Sequence, residues 1–202
     1  MQINELGGLK MIIISHPHFY TTWADWSATF NCPVYLSKVD SVWANRKTFP
    51  MADLKLLADQ TTEVLPGVTA ITCGGHFEGS LVLHWENLLF VADTLLMVRS
   101  AQNPDPAKPG VASYSFMWSI PNWIPLDPKS IMQIWRAIKP YDFRATFGVF
   151  KGSNVAEKPG QRMTLKERVL ESAKIQIKAM GWTEHEMLTE IIRNLNDKGN
   201  DT

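Results

Sequence analysis

Three short apolar runs in this chain each end close to a residue able to hold a cation. Leu9 to Ile14 stops at Ser15-His16-Pro17-His18, Val64 to Thr72 leads through Cys73 to Gly74-Gly75-His76, and Leu88 to Val91 is followed by Ala92 and Asp93. Runs this short, rich in β-branched and aliphatic residues and bounded by turn formers, read as strands. Polar ligand-type side chains thus recur where strands end, and the chain alternates such strands with helical patterns. That alternation points to a layered α/β fold.

The remaining elements follow from spacing and punctuation. Thr22 to Phe30 carries Trp23, Trp26 and Phe30 at helical spacing, and Asn31-Cys32-Pro33 breaks it before a strand at Val34-Tyr35-Leu36, giving a β–loop–α–β unit. A helix is predicted around Val42 to Arg46, while the segment on to Leu57 has no decisive pattern. Val64 to Gly75 is read as one strand, followed by strands at Leu81 to Glu86 and Leu88 to Val91 joined at Glu86-Asn87, so three strands form an antiparallel meander. Leu126-Asp127-Pro128 opens a helix with Ile131, Ile134, Trp135 and Ile138 as its apolar stripe, and Pro140 ends it. Ala145 to Phe150 is a further strand and Lys151 to Gln161 a loop. Thr164 and Glu167 form a capping box before Leu165, Val169, Ala173, Ile177 and Met180, with Gly181 as terminator. Thr183 and Glu186 repeat that signal before Leu188, Ile191, Ile192 and Leu195. Two amphipathic helices are therefore predicted over about 164–195, with Asn196 to Thr202 fraying.

The 202 residues call for no more than one domain spanning 1–202. Lysine plus arginine equals aspartate plus glutamate at 20 each, so no long-range field draws nucleic acid or anionic lipid. Met11 to Ile14, the longest apolar run near the start, is too short for a leader core or a membrane span, which reads as a soluble cytoplasmic protein. Cys32 and Cys73 are expected to be buried free thiols. Trp26, Trp85 and Trp135 are expected to be structural. Trp118 and Trp123 bracket a loop where they either line a substrate pocket or simply pack.

Taken singly, the candidate ligands are ordinary. A His-x-His pair arises by chance, His76 fits a turn, and Asp93 fits a cap. His84 lies mid-strand between Leu83 and Trp85, and His185 sits in a helical first turn without a second histidine to complete a zinc-protease motif, so both read as structural or solvated. Pro17 stiffens the backbone between His16 and His18, and the glycines before His76 allow the close approach that a ligand loop needs.

In order and context, His16, His18, His76 and Asp93 resemble the ligand motifs of the metallo-β-lactamase superfamily: His-x-His-x-Asp-His, then a glycine-histidine turn, then a strand-end aspartate. The motifs cover about residues 9–100. Ser15-His16-Pro17-His18-Phe19-Tyr20, Gly74-Gly75-His76-Phe77 and Leu83-His84-Trp85-Glu86 more narrowly resemble an uncharacterised branch of that superfamily common in fungi. The resemblance implies an αβ/βα sandwich, a first metal held by His16, His18 and His76, and a carboxylate, Asp93, that bridges to a second. The departures matter as much. The family's aspartate falls on Tyr20, its next histidine on Thr21, and its last histidine on Phe147, so the chain keeps one site entire and lacks the other. Three imidazoles and a carboxylate or water suit one Zn²⁺, although other transition metals fit imidazole as well.

The expected function is a single-zinc hydrolase acting on a small molecule, with Asp93 as ligand or base and Tyr20 donating to a developing oxyanion. The rival is a non-catalytic relative that binds a metal or small ligand, and an iron redox protein ranks third. Only 15 residues precede His16, whereas the family usually places several strands there. An N-terminally truncated sandwich is expected to expose a sheet edge open to self-association.

Overall fold

The computed structural model describes residues 2–45, 49–102 and 110–192. After a short helix, α1 (Gln2–Glu5), the first apolar run contributes only the two-residue strand β1 (Ile12–Ile13). It lies parallel to β2 (Pro33–Ser37), which lies parallel to β3 (Asp53–Leu57). Parallel neighbours need a crossover, and α2 (Trp23–Phe30) connects β1 to β2. The helix stops where the sequence says it should, with Asn31 in the left-handed region at φ 48° and Pro33 beginning the strand. Lacking a pattern, the segment before Leu57 left its structure open, and it forms β3. This strand is the edge of its sheet, where Asp53 and Lys55 face solvent and pair at 3.0 Å, so the usual apolar signal is diluted. The helix predicted near Val42 is a 3-10 turn over Val39–Trp43, and Arg46 lies outside the described residues.

The second sheet begins with β4 (Thr61–Leu65) and β5 (Val68–Thr72), where a single strand was expected over Val64 to Gly75. Gly67, at φ 75°, reverses the chain between them, a role its neighbours' apolar character disguised. β6 (Leu81–Trp85) and β7 (Leu88–Phe90) continue the antiparallel meander as expected, with Glu86 at φ 54° in the tight connection. Two small ribbons follow, β8 (Leu96–Met97) with β9 (Tyr114–Ser115) and β10 (Met117–Ser119) with β11 (Ile124–Pro125). Next comes α3 (Pro128–Ile138), whose cap residue Asp127 accepts from the Lys129 and Ser130 amides at 2.9 and 3.1 Å. β12 (Ala145–Phe147) then joins β7 in parallel, and β13 (Val155–Ala156) pairs with it from within the predicted loop. The six-stranded sheet runs β13-β12-β7-β6-β5-β4.

The last helix, α4 (Leu165–Ala179), has the expected capping box: the Glu167 amide donates to Thr164 Oγ1 at 3.2 Å and the Thr164 amide to Glu167 Oε2 at 2.7 Å. The second C-terminal helix is not formed over the described residues. Glu186–Thr189 make a single 3-10 turn capped by the His185 ring, after which Glu190 is extended. Met187 drives into the core here and Glu190 pairs with Lys139, so tertiary anchoring outweighs the helical pattern. Leu195 and Asn196 to Thr202 lie outside the described residues.

Three apolar clusters define the layers. Trp23, Ala24, Val34 and Leu36 join α2 to the three-stranded sheet. Leu57, Ala70 and Leu81, with Ile13, Tyr35 and Leu83 against them, join that sheet to the larger one. The largest cluster packs Ile71, Val82 and Leu89 against Ile131, Ile134, Trp135, Leu165, Val169 and Ile177 of α3 and α4. The order is helix, sheet, sheet, helices. Cys32 and Cys73 are buried and free, as expected. Trp135 is fully buried, whereas Trp26 and Trp85 are 45% and 44% exposed and contribute less to the interior than expected. No helix among the described residues is long and apolar enough to cross a membrane.

Candidate metal centre

β5 and β7 are both antiparallel to β6, so they run the same way and end at the same edge of the sheet, where β6 begins. The Leu81 amide at the start of β6 donates to the Ser15 carbonyl at 2.8 Å, which ties the end of β1 to that edge. His16 and His18 leave β1, His76 follows β5 and Asp93 follows β7, so topology alone brings four ligand-type side chains together. One candidate donor atom from each lies within 4.8 Å of the others.

The local backbone is arranged for this convergence. His16 is extended at φ −166°, and Pro17 opens a 3-10 turn that carries His18 back beside it. The three imidazoles form a triangle with every pair of ring centroids 5.0 Å apart. Gly75 has φ 89°, and a Cβ there would lie 2.7 Å from Ile134 Cδ1, so only glycine lets the His76 turn sit flat on α3. Ala92, just before Asp93, is held at φ 44°; an alanine in the left-handed region stores strain of the order of 1 kcal/mol in aiming the carboxylate.

His76 Nδ1–H donates to the Met117 carbonyl at 3.4 Å, which leaves Nε2 with its lone pair facing inward. That Nε2 stands 3.3 Å from His18 Nδ1 and 3.8 Å from Asp93 Oδ2, and Oδ2 is 3.3 Å from His16 Nε2. Burial, reinforced by the neighbouring His16, lowers the pKa of both His18 and His76, so both rings are held neutral. Burial pushes the Asp93 carboxyl up, but His16, His76 and His18 outweigh it and the net shift is down. His16 Nε2 and Asp93 Oδ1 are buried without a hydrogen-bond partner among the described residues. Several inward-facing electron pairs with neutral imidazoles and an anionic carboxylate are a donor set that a transition-metal cation fits.

The other sequence candidates lie elsewhere. Tyr20 does not join the cluster: its ring packs with Trp23, Val34 and Leu36, it is 2% exposed, and burial and the nearby Asp40 push its hydroxyl pKa up. Thr21 is exposed, and Phe147 stacks on Phe90 at 5.0 Å. His84 Nε2 contacts the Asp142 carbonyl at 2.8 Å and His185 accepts from the Met187 amide, so both are structural. Trp118 lines a cleft of about 520 Å³ above His18 and His76, whereas Trp123 is 76% exposed and does not.

Sequence reasoning missed Asp40. It is 2% exposed and its carboxyl accepts from the Gly79 amide, which pins the turn carrying His76. A Cβ on Gly79 would lie 2.2 Å from Ser37 Oγ and 3.0 Å from Asp40 Cγ, so this turn is clamped between Ser37 and Asp40 on one side and α3 on the other. Burial raises the Asp40 pKa, the mark of a carboxylate held in low dielectric.

No family model matches the sequence. A curated relative, the uncharacterised protein YmaE of Bacillus subtilis (strain 168), is 34% identical over 155 residues, covering 74% of this chain and 52% of YmaE, so the chain spans about half the length of that relative. Among solved structures, the DIM-1 metallo-β-lactamase exposed to ceftazidime superposes with a TM-score of 0.55 at 13% identity, over 88% of this chain and 72% of its own. VMB-1 gives 0.54 at 16% identity over 89% and 74%. A B3 metallo-β-lactamase with an active-site glutamic acid gives 0.51 at 15% identity over 90% and 75%. With the four-layer order of elements and the gathering of His16, His18, His76 and Asp93 at the strand ends, these likenesses establish that the chain has the metallo-β-lactamase fold.

Proposed function

We propose that this protein is a single-zinc hydrolase acting on a small molecule, with His16, His18 and His76 as metal ligands and Asp93 completing the set. The observation that carries the reading is the convergence of these four donors within 4.8 Å, two of them, His18 and His76, lining a cleft. The proposal of one ion rather than two rests on what surrounds them. Tyr20 is turned into the core and Phe147 is stacked on Phe90, so neither adds a donor beside the cluster.

A zinc ion bound there supplies Lewis acidity and brings the pKa of water toward ~7. The chain's own residues do the rest. The Met117 carbonyl fixes the tautomer and orientation of His76. Asp93 accepts a proton from water through Oδ1, the oxygen left without a partner, while Oδ2 faces His16. With Tyr20 buried in the apolar cluster of Trp23, Val34 and Leu36, the oxyanion-donor role expected for it has no support in its placement.

The reading is tested with chromogenic ester, thioester and phosphodiester substrates, each with and without added zinc. Zinc-dependent turnover that disappears in His76→Ala supports it. Zinc bound at full stoichiometry with turnover of none of them favours the non-catalytic binder instead.

A further inference from the structure

The walls of the cleft above His18 and His76 carry a chemical preference. Trp43, from the 3-10 turn Val39–Trp43, and Trp118, from strand β10, both line it, together with Val39, Val42, Phe77 and Pro121. These are not buried core residues. Val42 is 70% exposed, Trp43 60% and Trp118 57%, an apolar rim left open to solvent beside a polar cluster. Such a patch around a concave site marks ligand binding more often than packing.

The charges at the cleft point the same way. Apart from the histidines, the charged residues lining it are Asp40 and Glu78, and among the described residues no lysine or arginine does. A phosphodiester or carboxylate substrate distributes negative charge over several oxygens, and sites for such groups supply guanidinium, ammonium or helix-terminal donors to meet it. Here, beyond the metal itself, an anion would meet two acidic side chains and indole rings and no cationic side chain among the described residues. An uncharged acyl group meets apolar walls and keeps its reacting carbonyl at the polar floor.

We propose that the site takes an uncharged carboxylic ester whose apolar acyl chain lies between Trp43 and Trp118; this rests on the hydrolase reading above. The chemistry is hydrolysis. A water oxygen bonds to the acyl carbon, the acyl C–O bond breaks, and the water proton passes by way of Asp93 to the departing alkoxide, leaving a carboxylic acid and an alcohol.

Two readouts on the zinc-loaded full chain test this. Calorimetric titration with octanamide, which keeps the carbonyl and chain but resists hydrolysis, is expected to show binding at least about tenfold tighter than octyl phosphate. Trp43→Ala and Trp118→Ala are each expected to weaken octanamide about tenfold at unchanged zinc content. In turnover, p-nitrophenyl octanoate is expected to exceed p-nitrophenyl acetate by about tenfold in kcat/KM, with bis(p-nitrophenyl) phosphate slowest. Octyl phosphate binding as tightly as octanamide, or indifference to both tryptophan replacements, overturns the proposal. Octanamide binding without hydrolysis of any ester sinks the hydrolase reading and leaves the ligand class standing. Phosphodiester hydrolysis without octanamide affinity does the reverse.

Discussion

His16 and His84 are both histidines beside strand residues, but their replacements have opposite consequences. Removing the His16 or His76 imidazole takes one of four converging donors, and His16→Ala or His76→Ala is expected to lose bound zinc by elemental analysis. His84→Ala, which removes only a ring leaning on Tyr141 and the Asp142 carbonyl, is expected to retain it. Asp40→Ala leaves the Gly79 amide without its acceptor inside the protein, a loss of about 1–3 kcal/mol expected in urea unfolding, with weaker zinc binding because the His76 turn loosens. Titration gives a further check. Burial lowers the His76 pKa below its ordinary value of ~6.5, so the folded apo-protein resists a proton that the unfolded chain accepts. Stability is therefore full above that ordinary value and is lost as pH falls below it; thermal melts of the apo-protein are expected to shift down between pH 7.5 and 5.5, less so in His76→Gln. At this scale the four donors were legible because each follows a strand-like run. Asp40 was not, since it belongs to none of the strand-end motifs and its partner, the Gly79 amide, is far along the chain.

Helix ends were the most legible elements, because caps are local. Asp127 and Pro128 start α3 and Thr164 with Glu167 starts α4, as their chemistry requires. Thr164→Ala is expected to cost about 1 kcal/mol in chemical unfolding and leave zinc content unchanged, since α4 packs on the far side of the large sheet from α2. The same capping pattern misleads at Thr183, where burial of Met187 holds the chain in one turn. Gly67 hides a hairpin inside what looks like one strand, and β3 hides at an edge behind Asp53 and Lys55. In each case the deciding interaction is tertiary or a single backbone angle. Gly75→Ala tests the link between element and site: a left-handed φ and a clash with Ile134 are expected to destabilise the fold and weaken zinc binding together.

For the whole molecule, alternating strands and helices indicate layers but do not say which sheet faces which helix. The resemblance supplied that, and the three apolar clusters bear it out by filling the spaces between helix, sheet, sheet and helices. The consequence for function is geometric: β5 and β7 end together, and the Ser15–Leu81 hydrogen bond brings β1 to meet them. One compact donor set results, while Tyr20 packs in the apolar cluster with Trp23 and Phe147 stacks on Phe90. The most direct measurement is the metal content of the full chain after zinc loading and dialysis. One zinc per chain, abolished in His16→Ala and His76→Ala, is the expected result. A content near two, or one that survives both replacements, contradicts the account.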